Sequence, residues 1–284
     1  MKRIISQFLA PLIIATVVLA QDVNDVRVTV DEVKDSRTTG QFFASLEIKL
    51  KLMSDSLDGV ERLRANVARA VDDTGRDLID PKNEKDDFQQ LYNQKAGQME
   101  CTLKLRNPAR RASVVKELTG EIEAFLPKRD PAATVTVDNF LAEAGKPLTH
   151  PTLKAANIEI IVLTKAQYDA AKAEEEKKAK ESASKEGLAG AMTEAFSQMF
   201  AGFGQVSENS VVLKTKDPQS QIIEVKFADE KGKDVSPQMT MTSGETKTYD
   251  FRQKLGPAST LKIFVGTPKA LVKVPFKLAD IALP

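Results

Sequence analysis

The chain has 284 residues with 41 basic and 40 acidic side chains, which gives a formal net charge of +1. Such a balance produces no broad positive field, so it argues against nucleic acid and anionic membrane surfaces as partners. A single cysteine excludes an intrachain disulfide, and with a single histidine it leaves too few ligands for the usual zinc sites.

Residues 1–20 have the pattern of a cleavable secretory signal peptide. Lys2 and Arg3 give a positive start, an apolar stretch follows to Leu19, and the chain turns polar after Ala20. The alternative is an uncleaved membrane anchor, but early polar residues and a proline shorten the apolar run below the roughly 17–25 residues that a spanning helix needs. We therefore expect an exported protein of the periplasm or the extracellular space, without a transmembrane segment in the mature chain.

Alternation of apolar and polar residues dominates the region 21–165. Leu46, Ile48 and Leu50 alternate with charged residues, as in a strand with one buried face. The run 158–162 is apolar on both faces, which is typical of a central strand, and the polar stretch 81–98 indicates a long crossover loop. Short strands punctuated by proline and glycine turns predict a first antiparallel β-sandwich domain over 21–165.

A helical segment is predicted over 166–205. Its first part is rich in alanine, glutamate and lysine, with Glu–Lys pairs four residues apart, which is typical of a solvated helix. Its second part, 188–203, carries apolar residues at three- and four-residue steps, which predicts an amphipathic helix. The members of this apolar stripe are Leu188, Met192, Phe196, Met199, Phe200 and Phe203.

The apolar stripe has two interpretations. It either packs against one of the predicted sandwiches, covering a groove or a sheet edge, or it is exposed and binds a protein partner or a second copy of the chain. Methionine suits an adaptable binding surface. The stretch 188–203 contains no lysine or arginine, which disfavours attachment to an anionic membrane.

The region 206–284 returns to strand-like alternation. Its last run places Val272, Val274 and Phe276 on one face, and Pro275 between them lacks the amide proton of a central strand, so this run is predicted to be an edge strand. The length and the strand count favour a second, small sandwich. The predicted fold is therefore mainly β, with two immunoglobulin-like antiparallel β-sandwich domains joined by the helical segment.

A weak internal sequence similarity, called the echo below, links the two strand-rich regions. The residues 72–78 resemble 229–235, and 103–108 resemble 213–218. The two elements occur in opposite order in the two regions. The echo is therefore compatible with a duplication and with turn chemistry that the regions merely share.

Two acidic turns are candidates for calcium, which prefers several hard oxygen ligands. A basic residue inside each turn, Arg76 or Lys233, favours instead a hairpin whose glycine has a positive φ. The acidic residues are Asp72, Asp73 and Asp77 in the first turn and Asp229, Glu230 and Asp234 in the second.

Three other candidates have simple structural interpretations. His150 lies in a loop before a predicted strand, without the partners of a hydrolytic triad. Cys101 lies on the predicted core face of its strand and resembles a small buried hydrophobe. Arg106, Arg110 and Arg111 flank a turn, where they either clamp an anion or are simply solvated.

The residue inventory favours a non-enzymatic exported protein that acts in binding or assembly, with no cofactor and no metal. The alternative is a carboxylate-dependent hydrolase acting outside the cytoplasm. That alternative predicts a cleft with converging acidic side chains, at least one of which has a raised pKa.

Overall fold

A computed structural model of the protein describes residues 25–37, 44–80, 87–91, 97–170, 172–174, 177 and 206–284. The predicted signal peptide, 1–20, and the predicted amphipathic helix, 188–203, lie outside this part of the chain. Among the described helical residues, no helix has the length and apolar character needed to cross a membrane.

The described chain is mainly β and forms several antiparallel sheets. The strands are β1 (Arg27–Ser36), β2 (Ser45–Met53), β3 (Arg62–Asp72), β4 (Gln89–Gln90), β5 (Gln98–Leu105), β6 (Val114–Phe125), β7 (Thr134–Asp138), β8 (Glu159–Leu163), β9 (Ser210–Lys216), β10 (Ile222–Ala228), β11 (Asp234–Val235), β12 (Met239–Ser243), β13 (Thr246–Asp250), β14 (Thr260–Val265) and β15 (Leu271–Ala282). The helical elements are α1 (Pro151–Ala155), the 3-10 turns Asp55–Leu57, Pro127–Arg129, Pro131–Ala133 and Phe140–Glu143, and the helical residues 165–170, 172–174 and 177.

The strands assemble into sheets that share cores in a sandwich-like manner. Sheet I has the order β1-β2-β5 and sheet II the order β15-β6-β3-β4; together they enclose one hydrophobic cluster and are called sheet pair 1. Sheet III has the order β12-β13-β9-β8 and sheet IV the order β11-β10-β14-β7; they enclose a second cluster and are called sheet pair 2.

The predicted alternation is confirmed in β2. Leu46, Ile48, Leu50 and Leu52 are fully buried, while the residues between them are partly exposed. Because successive side chains of a strand point to opposite faces, this register places the leucines and the isoleucine in the core of sheet pair 1. Burial of each such side chain stabilises the fold by about 1.5–3 kcal/mol.

An aromatic group fills the core of sheet pair 2. The ring centroid of Phe227 lies 4.9 Å from that of Tyr249, 5.1 Å from Phe251 and 5.9 Å from Phe140. The contacts with Tyr249 and Phe251 are edge-to-face, the geometry that aromatic quadrupoles favour.

The sheets do not follow the predicted boundaries at 165 and 206. Strand β7 follows β6 in the chain but pairs with β14, with Val135 opposite Ile263. Strand β15 follows β14 but pairs with β6, with Val274 opposite Ile122. Residues of the predicted first domain therefore contribute β7 and β8 to sheet pair 2, and the last strand of the predicted second domain belongs to sheet pair 1. The cause is that alternation shows which face of a strand is buried, but not which core it enters.

Two chain crossings join the sheet pairs. The connection from β6 to β7 runs beside the connection from β14 to β15, and they share hydrogen bonds. The Leu126 N–H donates to the Ala270 carbonyl at 2.8 Å, and the Thr267 hydroxyl donates to the Asp130 carboxylate at 2.6 Å. These bonds fix the crossing geometry between the two cores.

Two strand assignments bear on the predicted positions within the sheets. Strand β15, which contains Pro275, is an edge strand of sheet II, as its proline predicted. The prediction that the run 158–162 is a central strand is wrong, because β8 lies at the edge of sheet III. The outer edge of β8 is nevertheless partly paired, because the N–H groups of Gly145 and Leu148 donate to carbonyls of β8 at 2.8 Å.

The two sheet pairs have matching strand orders, except that sheet I has no counterpart of β12. Strands β1, β2 and β5 of sheet I take the places of β8, β9 and β13 in sheet III, and β15-β6-β3-β4 of sheet II corresponds to β7-β14-β10-β11 of sheet IV. The echo between 72–78 and 229–235 falls on the turns that follow the corresponding strands β3 and β10. The echo between 103–108 and 213–218 falls on β5 and β9, which do not correspond, so it reflects only similar chemistry at strand ends.

Candidate functional site

The two acidic turns are hairpins in which an aspartate organises the main chain. The Asp72 carboxylate accepts hydrogen bonds from the N–H groups of Thr74, Arg76 and Ala109, and from the Thr74 hydroxyl, at 2.7–2.9 Å. Asp229 accepts from the N–H groups of Lys231 and Lys233, both at 2.9 Å. The carboxylates are thus acceptors of turn hydrogen bonds.

The glycine of each acidic turn has a left-handed backbone, with φ of +85° at Gly75 and +76° at Gly232. This is the conformation that the hairpin interpretation required of both glycines. Among the described residues, no group of three or more His, Cys, Asp or Glu side chains is placed to hold a metal ion.

The pKa values of these aspartates are lowered by different routes. Burial raises the pKa of Asp72, but the hydrogen bonds from Ala109, Thr74 and Arg76 more than offset it, so the pKa falls below its ordinary 3.8. For the exposed turn, the N–H of Lys233 is the main cause of the lowered pKa of Asp229. The resolved carboxyl shifts are all downward, at Asp25, Asp72, Asp73, Asp130 and Asp229. A general acid needs the opposite direction, so none of these five aspartates suits the general-acid role that the hydrolase alternative requires.

The single histidine caps a helix, and the single cysteine lies in a hydrophobic core. His150 is the N-cap of α1, where its Nδ1 accepts a hydrogen bond from the Thr152 N–H at 3.2 Å. Cys101 is fully buried in the core of sheet pair 1, opposite Leu50. Both positions fit the structural interpretations of these residues.

The arginine cluster lies on the surface, and the apolar stripe lies outside the described residues. Arg106, Arg110 and Arg111 are all exposed around the turn after β5. The six residues of the predicted partner-binding stripe lie outside the described residues, on the connection between β8 and β9. That binding role stays a prediction.

A groove lies between the two sheet pairs, with a cavity volume of about 780 Å³. Its lining comes from residues 60–62 and 90–91 of sheet pair 1, and from residues 224–227 and 234–237, Thr240 and Tyr249 of sheet pair 2. A volume of this size is in the usual range for ligand sites, which often lie between domains. We take this groove as the candidate functional site.

Ion pairs across the groove hold the sheet pairs together. Both the Nε and a terminal nitrogen of Arg62 donate to the Glu224 carboxylate, the first at 3.1 Å. The side chains of Arg62 and Glu224 are only 10% and 19% exposed. Bidentate geometry of this kind gives the strongest arginine–carboxylate pairs. Lys226 adds looser contacts, 3.4 Å from Glu224 and 3.7 Å from Glu61.

The floor of the groove is apolar and aromatic. Phe227 and Tyr249 reach it from the core of sheet pair 2, and Val225 and Val235 line it beside them. Burial raises the pKa of Tyr249 to about 12, so its phenol stays neutral at physiological pH. The groove thus offers an apolar floor below a charged rim.

An apolar seam stabilises the junction beside the groove. Phe125 of sheet pair 1 meets Phe264 of sheet pair 2 edge-to-face, with centroids 6.2 Å apart, and Ala133 and Ala270 of the two crossings are buried with them. The ammonium of Lys226 lies 4.9 Å from the centroid of the Phe264 ring. The relative placement of the two groove walls is therefore set by packing as well as by charge.

A buried ion pair supports the wall from sheet II. Arg64 donates to Glu123 through two nitrogens at 2.8 and 2.5 Å, and its guanidinium lies 4.3 Å from the centroid of the Phe88 ring. Both side chains of the pair are less than a tenth exposed. This pair fixes the face of β3 from which Arg62 reaches the groove.

The groove was not predicted from the sequence. The only signal was that two strands carry charged residues at alternate positions near their beginning. These residues are Arg62 and Arg64 on β3, and Glu224 and Lys226 on β10. Charges on a strand usually mark a solvated face, and nothing in the sequence pairs residues 162 positions apart. The chain matches no protein-family model, no curated protein and no solved structure.

Proposed function

We propose that this chain is an exported, non-enzymatic binding protein made of two immunoglobulin-like units, and that its ligand binds in the groove between them. The observation that carries the proposal is the groove itself, with an apolar floor from one sheet pair and a charged rim contributed by both. Ligand sites typically combine apolar lining with a few fixed polar groups.

The immunoglobulin-like character is supported by strand order. In such folds one sheet has the order A-B-E-D and the other contains C, F and G. Labelling β8, β9, β13 and β12 as A, B, E and D makes β10 strand C, β14 strand F and β7 strand G. Sheet pair 1 fits the same scheme with β15 as G and without a D strand. In this scheme the G strand of sheet pair 2 precedes its A strand in the chain, and the G strand of sheet pair 1 returns after the whole of sheet pair 2.

Preorganisation supports binding at the groove. The Arg62–Glu224 pair and the Phe125–Phe264 contact already hold the two walls in place. A ligand that binds between them does not have to order the site, so less of its interaction free energy is lost.

The stripe of 188–203 is retained as a second contact region of the same binding protein. It lies on the connection between adjacent strands of sheet III and carries the apolar side chains that suit a protein partner or a second copy. Deleting 188–203 tests this role. If the deletion lowers stability but changes neither partner capture nor oligomeric state, the stripe is part of the core and not a binding element.

A matched pair of variants tests the groove. Thr240 and Thr242 are both exposed on β12, but only Thr240 lines the groove. Thr240→Trp is expected to fill the groove and to reduce capture of envelope proteins by the mature chain by about tenfold, a loss of about 1.4 kcal/mol of binding free energy. Thr242→Trp is expected to behave as wild type, and both variants should keep the melting temperature, because exposed substitutions cost little. Equal capture by the two variants would remove the groove as the binding site.

A further inference from the structure

The groove follows the edge of strand β10. Residues 224–227 are consecutive in this strand, and all of them line the same groove. Successive side chains of a strand point to opposite faces, so a cavity over one face would touch only every second residue. A cavity that touches all of them lies along the main-chain edge. Because β14 pairs with one edge of β10, the groove lies along the other edge.

That second edge is only partly paired among the described residues. Strand β11 covers β10 at Phe227 and Ala228 and extends no further. Residues 223–226 are half-buried, whereas Phe227 and Ala228 are buried. The main chain of 224–226 thus borders the groove where β11 has already ended.

We propose that the ligand of this groove is an extended peptide segment of a partner protein, which adds to β10 as an extra strand of sheet IV. The inference rests on the proposed binding function and names its ligand class. An extended chain complements such an edge because it offers main-chain N–H and C=O groups at the same spacing. Residues 223–226 span about 13 Å, so a peptide of similar length is sufficient to fill the edge.

The groove also determines the side chains of the peptide. One face of an added strand meets the floor formed by Phe227, Tyr249 and Val235, which suits aliphatic residues. The other face meets the rim, where the carboxylates of Glu61, Glu224 and Asp234 outnumber the cations of Arg62 and Lys226.

Two rim carboxylates that are more exposed than their lysine partners, Lys226 and Lys262, decide the sign of the preferred charge. Glu224 is engaged by Arg62, whereas the side chains of Glu61 and Asp234 are 37% and 67% exposed and lie 3.6–3.7 Å from their lysine partners. A peptide in which valine and lysine alternate therefore fits both faces of the added strand, with lysine on the rim side.

The test uses the mature chain and short capped peptides in which valine alternates with lysine or with glutamate. Binding of the lysine peptide is followed by amide chemical shifts in NMR, and the largest changes are expected at residues 223–226 and 234–237. Methylation of alternate peptide nitrogens, which removes main-chain donors but keeps the side chains, is expected to weaken binding by about tenfold. The glutamate peptide is expected to bind more weakly than the lysine peptide by a similar factor of about ten.

The matched tryptophan variants separate the two levels of the proposal. Thr240→Trp should abolish the shifts and Thr242→Trp should leave them unchanged. If methylated and unmethylated peptides bind equally, but Thr240→Trp still blocks both peptides and envelope proteins, strand addition is wrong and groove binding stands. If neither peptides nor envelope proteins respond to Thr240→Trp, the proposed function fails with it.

Discussion

Removal of the last strand distinguishes the observed sheet pairing from the boundaries predicted by the sequence. A chain that ends at Ala270 lacks β15, and with it Val272, Val274, Phe276 and Ile281, which are 1–7% exposed in the core of sheet pair 1. Each of these side chains contributes about 1.5–3 kcal/mol on burial, so the loss is about 6–12 kcal/mol. That range covers most of the about 5–15 kcal/mol that stabilises a typical domain.

The expected result is selective unfolding. Sheet pair 1 should lose its amide protection in hydrogen exchange over β2, β3, β5 and β6, while β9, β10, β13 and β14 stay protected, because the strands of sheet pair 2 are contiguous in the chain. A chain that lacks only Leu283 and Pro284 is the control and should keep both sets. Loss of protection in β9–β14 with retention in β2–β6 would refute the crossing of β15 to sheet pair 1.

Three further substitutions, one of them with a matched control, probe particular contacts. Gly120→Ala places a Cβ against the Asn66 carbonyl in the middle of β6. Urea denaturation should show that the free energy of unfolding falls by about 1–3 kcal/mol. An unchanged denaturation midpoint would contradict this close approach. Glu123→Gln removes the countercharge of a buried guanidinium and should lower the free energy of unfolding by about 3–5 kcal/mol. Its control, Glu121→Gln, lies in a more exposed pair and should lower it by about 0–1 kcal/mol. Equal losses for the two variants would refute the difference between the pairs. Asp72→Asn should lower the free energy of unfolding at pH 7 by about 1–3 kcal/mol. Because the folded pKa of Asp72 lies below its ordinary 3.8, its contribution is complete above that value and lost as the pH falls through the folded pKa, so the effect of the substitution should shrink in acid.

Local structure followed directly from the sequence. The alternation of Leu46, Ile48 and Leu50 predicted a strand with one buried face, and Pro275 predicted an edge strand. The glycines of the acidic turns predicted hairpins with positive φ. These features depend on neighbouring residues and on the geometry of a single strand or turn, which the sequence contains in full.

Tertiary structure alone decided which strands share a core and where the groove forms. Strand β7 leaves the core of the preceding β6, and β15 returns to that core past all the strands of sheet pair 2, although both have the alternating pattern of their neighbours in the chain. An apolar face fits any core whose open edge accepts its register. The groove requires Arg62 to meet Glu224, and that contact exists only once the two crossings have placed β3 beside β10. Alternation specifies that a face is buried; the partner that buries it is set by the packing of the whole chain.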